Sequence, residues 1–280
     1  MTSVAKTGPN ATPRDVVVVG APRSGTSMVA GLFVAAGHDP GRKLIPPGPA
    51  NPTGFHEDVG VNSLNDDLLE RGSRVPWSDT EVPPRNVLWL AALVPELAPT
   101  DERDHHAMRA LLGRRPFVLK DPRLSYTFPQ WRPVLRDAVV VCVFRWPAEV
   151  AGSLLRMAER QPDTFAGFDL TFDHGVRAWE AMHRSILGWA DERVVFVAHE
   201  DVLSGEALDR LGDRTGTPLD HRAVDPTLHV VRSGRPVPPS VADLHAHLLQ
   251  RSRRGGHDRR GDRPIIAIRD PYAGNEAQND

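Results

Sequence analysis

Val16-Val-Val-Val-Gly20-Ala-Pro-Arg23-Ser-Gly25-Thr-Ser27 is the stretch that decides the fold. Four consecutive valines suit a strand buried on both faces, since a strand buried on one face would alternate apolar and polar residues. A turn of small residues follows, and helical apolar spacing then runs over Thr26–Ala36 until Gly37 stops it. A buried strand feeding a helix through such a turn aims several backbone N–H groups at one point, together with the positive end of the helix dipole. Gly20 and Gly25 let the backbone approach a phosphate closely. Thr26 and Ser27 add hydroxyls, and Arg23 adds a planar, permanently charged fork. The segment therefore predicts a phosphate-binding loop; the plainer alternative is an ordinary strand–turn–helix connection.

Working outward, three further apolar runs read as buried strands: Phe117–Leu119, Ala138–Phe144 and Arg193–Ala198. Helical spacing lies between them. Val61, Leu64 and Leu68 fall at i, i+3 and i+7, Pro147 opens a helix over Ala148–Ala158, and Val176, Trp179, Met182, Ile186 and Trp189 form one stripe. Strands alternating with helices predict an α/β fold, a doubly wound parallel sheet flanked by helices. Trp179 and Trp189 lie on a stripe of core spacing, whereas Trp77 and Trp89 are freer to line an acceptor pocket. Residues 38–54 hold five prolines and three glycines, which excludes a regular helix and suits a lid or binding loop.

Composition narrows the classes. The chain is 40% hydrophobic and 25% charged, enough apolar material for a sizeable core, and its net charge of −2 offers no global field for nucleic acid. No apolar run approaches the length of a membrane span, and residues 1–15 lack the apolar segment of a secretory signal. One cysteine, Cys142, lies inside an apolar run and cannot pair internally. These features predict a cytoplasmic protein with one α/β domain over residues 16–252. A polar tail over 1–15 and a mobile, arginine-rich tail over 253–280 flank it. Among 34 basic residues only Lys6, Lys43 and Lys120 are lysine, which singles out Lys120 in mid-chain. No His/Cys/Asp cluster has metal-ligand spacing, so no metal is expected. Gly-x-Ser-x-Gly is absent as well.

The spacing of Gly20 and Gly25 matches the ATP-binding P-loop, Gly-x4-Gly-Lys-Ser/Thr, but Thr26 stands where the lysine belongs. Without that lysine the side chain that reaches the β/γ-phosphates is missing, which disfavours a small-molecule kinase. A non-catalytic nucleotide-binding protein of the same fold is the other alternative.

Pro22-Arg-Ser-Gly-Thr-Ser27 after a first strand resembles the 5′-phosphosulfate loop of sulfotransferases that use 3′-phosphoadenosine 5′-phosphosulfate. Their 3′-phosphate motif, a strand ending in Arg with a helical Ser eight residues on, is similar to Arg145 and Ser153. Asn51-Pro-Thr-Gly-Phe-His-Glu-Asp58 and Lys120-Asp-Pro-Arg123 resemble segments of bacterial members. His199-Glu-Asp-Val-Leu203 is like a family stretch that begins with Tyr. The resemblance covers roughly residues 16–232 and implies a P-loop-like sulfotransferase fold.

It also implies an activity: transfer of a sulfuryl group from that nucleotide donor to a hydroxyl of a small molecule, glycan or lipid. Such transfer needs in-line positioning and charge stabilisation. By resemblance Arg23, Ser24, Gly25, Thr26, Ser27, Arg145 and Ser153 bind the donor, and Arg23 and Lys120 also act catalytically. Lys120 as a plain surface lysine is the alternative. Glu57 is the expected general base, with His56 second and Asp58 third; a carboxylate there also suits a helix N-terminus.

Overall fold

The computed structural model describes residues 12–48, 51–72, 83, 85–90, 97–224 and 233–254. Strands β1 (Val16–Val19), β2 (Val118–Lys120), β3 (Val139–Phe144) and β4 (Val194–Ala198) form one all-parallel sheet in the order β2-β1-β3-β4. The helices are α1 (Thr26–Ala35), α2 (Val59–Gly72), α3 (Glu102–Leu111), α4 (Leu124–Trp131), α5 (Pro147–Arg160), α6 (Phe172–Trp189), α7 (His199–Leu203), α8 (Leu208–Thr215) and α9 (Pro239–Arg254).

The valine runs become central strands because both sheet faces are covered. Val17 and Val19 of β1, with Val140, Cys142 and Phe144 of β3, face a core shared with Leu69, Trp131, Leu154, Trp179 and Leu248. Val16, Val18, Val139, Val141 and Val143 face a second core containing Val29, Phe33, Leu208 and Leu211. Period-two side chains thus feed two apolar layers, which is the doubly wound arrangement. Trp179 is fully buried. Trp89, expected to be free for an acceptor pocket, is buried in the first core, where its apolar ring outweighs the irregular backbone around it. Trp77 lies outside the described residues.

From β1 the chain passes to β2 on one side; from β3 it passes to β4 on the other. The crevice at the carboxyl ends of β1 and β3 is therefore the topological switch point, where open α/β sheets bind ligands.

Helix α4 departs from the sequence reading. Pro129 sits inside α4, and its missing N–H leaves the carbonyl of Ser125 without the usual i→i−4 donor. Trp189 Nε1 donates to that carbonyl at 3.0 Å, so tertiary structure supplies the missing bond. Described structure also lies on either side of residues 16–252. Asp15 is buried and accepts from Arg115 Nε at 2.6 Å, while Arg14 N donates to Thr215 O at 2.9 Å. At the other end α9 continues through Arg254, and residues 255–280 lie outside the described ones.

Candidate functional site

The loop between β1 and α1 leaves the sheet beside β3. Gly20 has φ +133°, and a Cβ there would stand 2.1 Å from the carbonyl oxygen of Val143. Only glycine fits that passage. Its N–H donates to Ser125 Oγ at 3.1 Å, so the first turn of α4 holds the start of the loop. Arg23 and Gly25 both have left-handed φ, +70° and +95°. For arginine this is strained backbone of the kind that collects at ligand sites.

Gly25 is the N-cap of α1 and no side chain caps that helix. Among the described residues its first-turn N–H groups have no intrahelical or side-chain acceptor. A Cβ on Gly25 would lie 2.5 Å from His199 Cδ2, so His199, in the position that departs from the family's Tyr, packs on the loop. Ser24 is buried, and its hydroxyl oxygen has no hydrogen-bond partner among the described residues. Thr26 is also buried and turns its methyl toward Gly20.

Arg23 Nε donates to Ser153 Oγ at 3.1 Å, joining the loop after β1 to the helix after β3. Arg145, at the end of β3, folds back over the first turn of α5, where its Nε lies 2.7 Å from Glu149 Oε2. Burial lowers the pKa of Arg23, and the charges of Arg145, Arg156 and Arg160 lower it further. Arg23 therefore meets Ser153 directly and lies within electrostatic reach of Arg145, although Ser153 is two helical turns into α5.

On the other side of the loop Lys120, at the tip of β2, donates from Nζ to Ser27 Oγ at 3.2 Å and to Glu57 Oε1. Glu57 Oε2 accepts from Asn62 Nδ2 at 2.9 Å. Both ends of the Lys120–Glu57 pair are buried, so Lys120 is no surface lysine. His56 has φ +53°, and burial, aided by the Lys120 charge, lowers its pKa. Asp58 is occupied elsewhere. Its carboxylate accepts from the N–H groups of Arg42, Lys43 and Gly60 at 2.8–2.9 Å and pins the preceding loop to the start of α2. With its carboxylate taken up by three backbone donors, Asp58 serves as a loop clamp.

The sulfotransferase family profile matches residues 13–221. The chain belongs to the sulfotransferase family. The sulfotransferase domain from the curacin biosynthetic pathway is 13% identical with a TM-score of 0.52, covering 86% of this chain and 99% of that one. A sulfotransferase from Alicyclobacillus acidocaldarius is 14% identical over 88% and 95% of the two chains, with a TM-score of 0.43. One from Mycobacterium tuberculosis H37Rv is 17% identical over 88% and 77%, also at 0.43. No curated protein sequence matches.

In this sulfotransferase a second, fully internal network holds the Lys120 side of the site. Asp121 accepts from Asn65 Nδ2 at 2.8 Å and from Arg123 N at 2.9 Å. Asn65 Oδ1 in turn accepts from Thr127 Oγ1 and Trp131 Nε1, each at 2.8 Å. Arg123 pairs with Asp66 and Asp121 and donates to the carbonyl of Asn86 at 2.8 Å. Burial works against the Arg123 charge, but Asp121 and Asp66 outweigh it and raise its pKa. This lattice ties α2, α4 and the tip of β2 together, so the backbone on either side of Lys120 and Glu57 is fixed. Neither Ser125 nor Asn62 stands out in the sequence, whereas Asn65 lies in a stretch, Asn65-Asp-Asp-Leu-Leu69, that belongs to the family resemblance. A polar residue at a helical position gives no local sign of its partner; that of Ser125 is Gly20, 105 residues away.

Proposed function

We propose that this sulfotransferase moves a sulfuryl group from 3′-phosphoadenosine 5′-phosphosulfate to a hydroxyl oxygen of a small molecule, glycan or lipid. The observation that carries the reading is the Arg23–Ser153 hydrogen bond at 3.1 Å, with Arg145 within electrostatic reach of Arg23. That contact supports the two sequence motifs acting together at one switch point.

The residues present fit such a donor. The orphaned Ser24 hydroxyl is a buried polar group in want of a partner, and the uncapped start of α1 offers N–H groups to an anion. The loop from Arg23 to Ser27 would hold the 5′ end, and Arg145 with Ser153 the 3′-phosphate. When bound, the donor supplies an activated sulfuryl group on a phosphate oxygen. Arg23 and Lys120 bring positive charge to the place where negative charge develops, in a cleft largely shielded from water. Glu57 takes the acceptor's hydroxyl proton on a carboxylate oxygen, and Lys120 and Asn62 orient it for that task.

A cytoplasmic setting belongs to the same reading. Among the described residues no helix is long and apolar enough to cross a membrane, and Cys142 is buried in β3 with its thiol pKa raised by burial. The test is transfer of sulfur-labelled donor into mixtures of hydroxyl acceptors, read by mass spectrometry as a gain of about 80 Da that carries the label. Gain of that mass from ATP with no sulfur label would point to a kinase and overturn the assignment.

A further inference from the structure

Arg156 and Arg160 remain outside the roles given above. They follow Ser153 on α5 at i+3 and i+7, and so lie on the helix face that carries Ser153. Along the axis they are displaced from it by about 4.5 and 10.5 Å. Both are exposed, and both act on the charge of Arg23. Among the described residues neither has a carboxylate within 4 Å; Glu159, next to them in sequence, pairs with neither. Arg145, by contrast, is matched by Glu149.

The row has a direction. It starts at the Arg23–Ser153 contact and runs toward the end of α5, where a Cβ on Gly48 would meet Gln161 Nε2 at 3.6 Å. The turn that follows is tied to a second segment by Asn86 Nδ2, which donates to Thr164 O at 3.2 Å. Gly48 belongs to the Pro/Gly-rich loop that leads into His56 and Glu57. The arginines thus extend from the donor side of the cleft toward the loop that bears the proposed base. Like charges crowded along one helix face repel one another unless an anion comes between them. Under the proposed function, the loop amides, Arg23, Arg145 and Ser153 already serve both phosphate ends of the donor.

We infer that Arg156 and Arg160 form an anion subsite for the acceptor, so that the preferred acceptors are hydroxyl compounds that also carry a carboxylate, phosphate or sulfate group. The inference rests on the donor reading above.

The test uses the full chain and the double variant R156Q/R160Q. Adenosine 3′,5′-bisphosphate is titrated into each by calorimetry. With nucleotide saturating, binding of 4-hydroxyphenylacetate and of its neutral amide is compared by ligand-observed NMR. The parent should bind the carboxylate at least ~10-fold more tightly than the amide, equivalent to about 1.4 kcal/mol. In the variant that preference should fall below about twofold while the nucleotide Kd moves by less than about threefold, since neither arginine is among the groups assigned to the donor. Equal binding of the two phenols by the parent overturns the subsite. So does a loss of tenfold or more in nucleotide affinity in the variant, which would assign the arginines to the donor. A parent that binds no bisphosphate defeats the donor reading itself, a result visible before any phenol is added.

Discussion

Replacing Glu57 by Gln separates a catalytic role from a structural one, because the surroundings can absorb the amide. Oε1 would continue to accept from Lys120 Nζ. At the other position an NH2 group would face Asn62 Nδ2, now 2.9 Å away, donor against donor. Asn62 Oδ1, however, is buried without a partner among the described residues, so turning that amide over offers the new NH2 an acceptor. The remaining cost is a weakened buried pair and one exchanged orphan atom, about 1–3 kcal/mol of stability. Removing a general base costs about 10²- to 10⁴-fold in rate, or about 3–5 kcal/mol of transition-state free energy. The Arg23–Ser153 and Arg145–Glu149 contacts are not touched, so nucleotide affinity should stay within about threefold of the parent. The assay pairs kcat/KM for labelled sulfuryl transfer with calorimetric titration of adenosine 3′,5′-bisphosphate. Activity within about fivefold of the parent would refute the base assignment. Parallel loss of nucleotide binding would instead show that Glu57 acts by holding the site together.

Three further outcomes are expected. Gly25→Ala forces a methyl group to 2.5 Å from His199 Cδ2 at a φ of +95°, so adenosine 3′,5′-bisphosphate affinity should drop at least ~10-fold; unchanged affinity in a calorimetric titration would place the anion elsewhere. Glu149→Gln removes the carboxylate that competes for Arg145 and should tighten binding of the bisphosphate several-fold over adenosine 5′-monophosphate; weaker binding would make Glu149 a positioning residue for Arg145 instead. His183 is fully buried, and burial first, then the nearby His245, lowers its pKa to about 4, against the pull of carbonyl acceptors. A depressed folded-state pKa stabilises the fold above the ordinary value of 6.5 and loses that contribution as pH falls toward 4, by as much as about 3 kcal/mol. Urea midpoints of the parent should therefore fall between pH 6.5 and 4 more steeply than those of His183→Gln, and identical slopes would contradict the assignment.

The parts of the fold that could be read from sequence were those whose signal is local. Unbroken apolar runs at 16–19 and 139–144 admit only a strand covered on both faces, and their strands appear within a residue or so of the expected bounds. Pro147 at a first-turn position marks the start of α5 equally well. What escaped depended on distant partners. α4 contains Pro129 and forms because Trp189, from α6, satisfies the carbonyl that proline strands. Asp58 and Glu57 are neighbours with the same chemistry in sequence. Only the backbone of residues 42 and 43 on one, and Lys120 on the other, distinguishes a loop clamp from a candidate base. Trp89 shows the reverse error, since a stretch without clear periodicity still buries that ring.

The central claim is that two phosphate ends of one adenosine nucleotide are held across the β1–β3 switch point, one by the loop from Arg23 to Ser27 and one by Arg145 with Ser153. Calorimetric titration of the parent protein with adenosine 3′,5′-bisphosphate, adenosine 5′-monophosphate and adenosine 3′-monophosphate tests it most directly. A charge-assisted contact contributes about 1.5–3 kcal/mol, so the bisphosphate should bind at least ~10-fold more tightly than either monophosphate, without added metal. A bisphosphate that binds no better than the 5′-monophosphate would contradict the account.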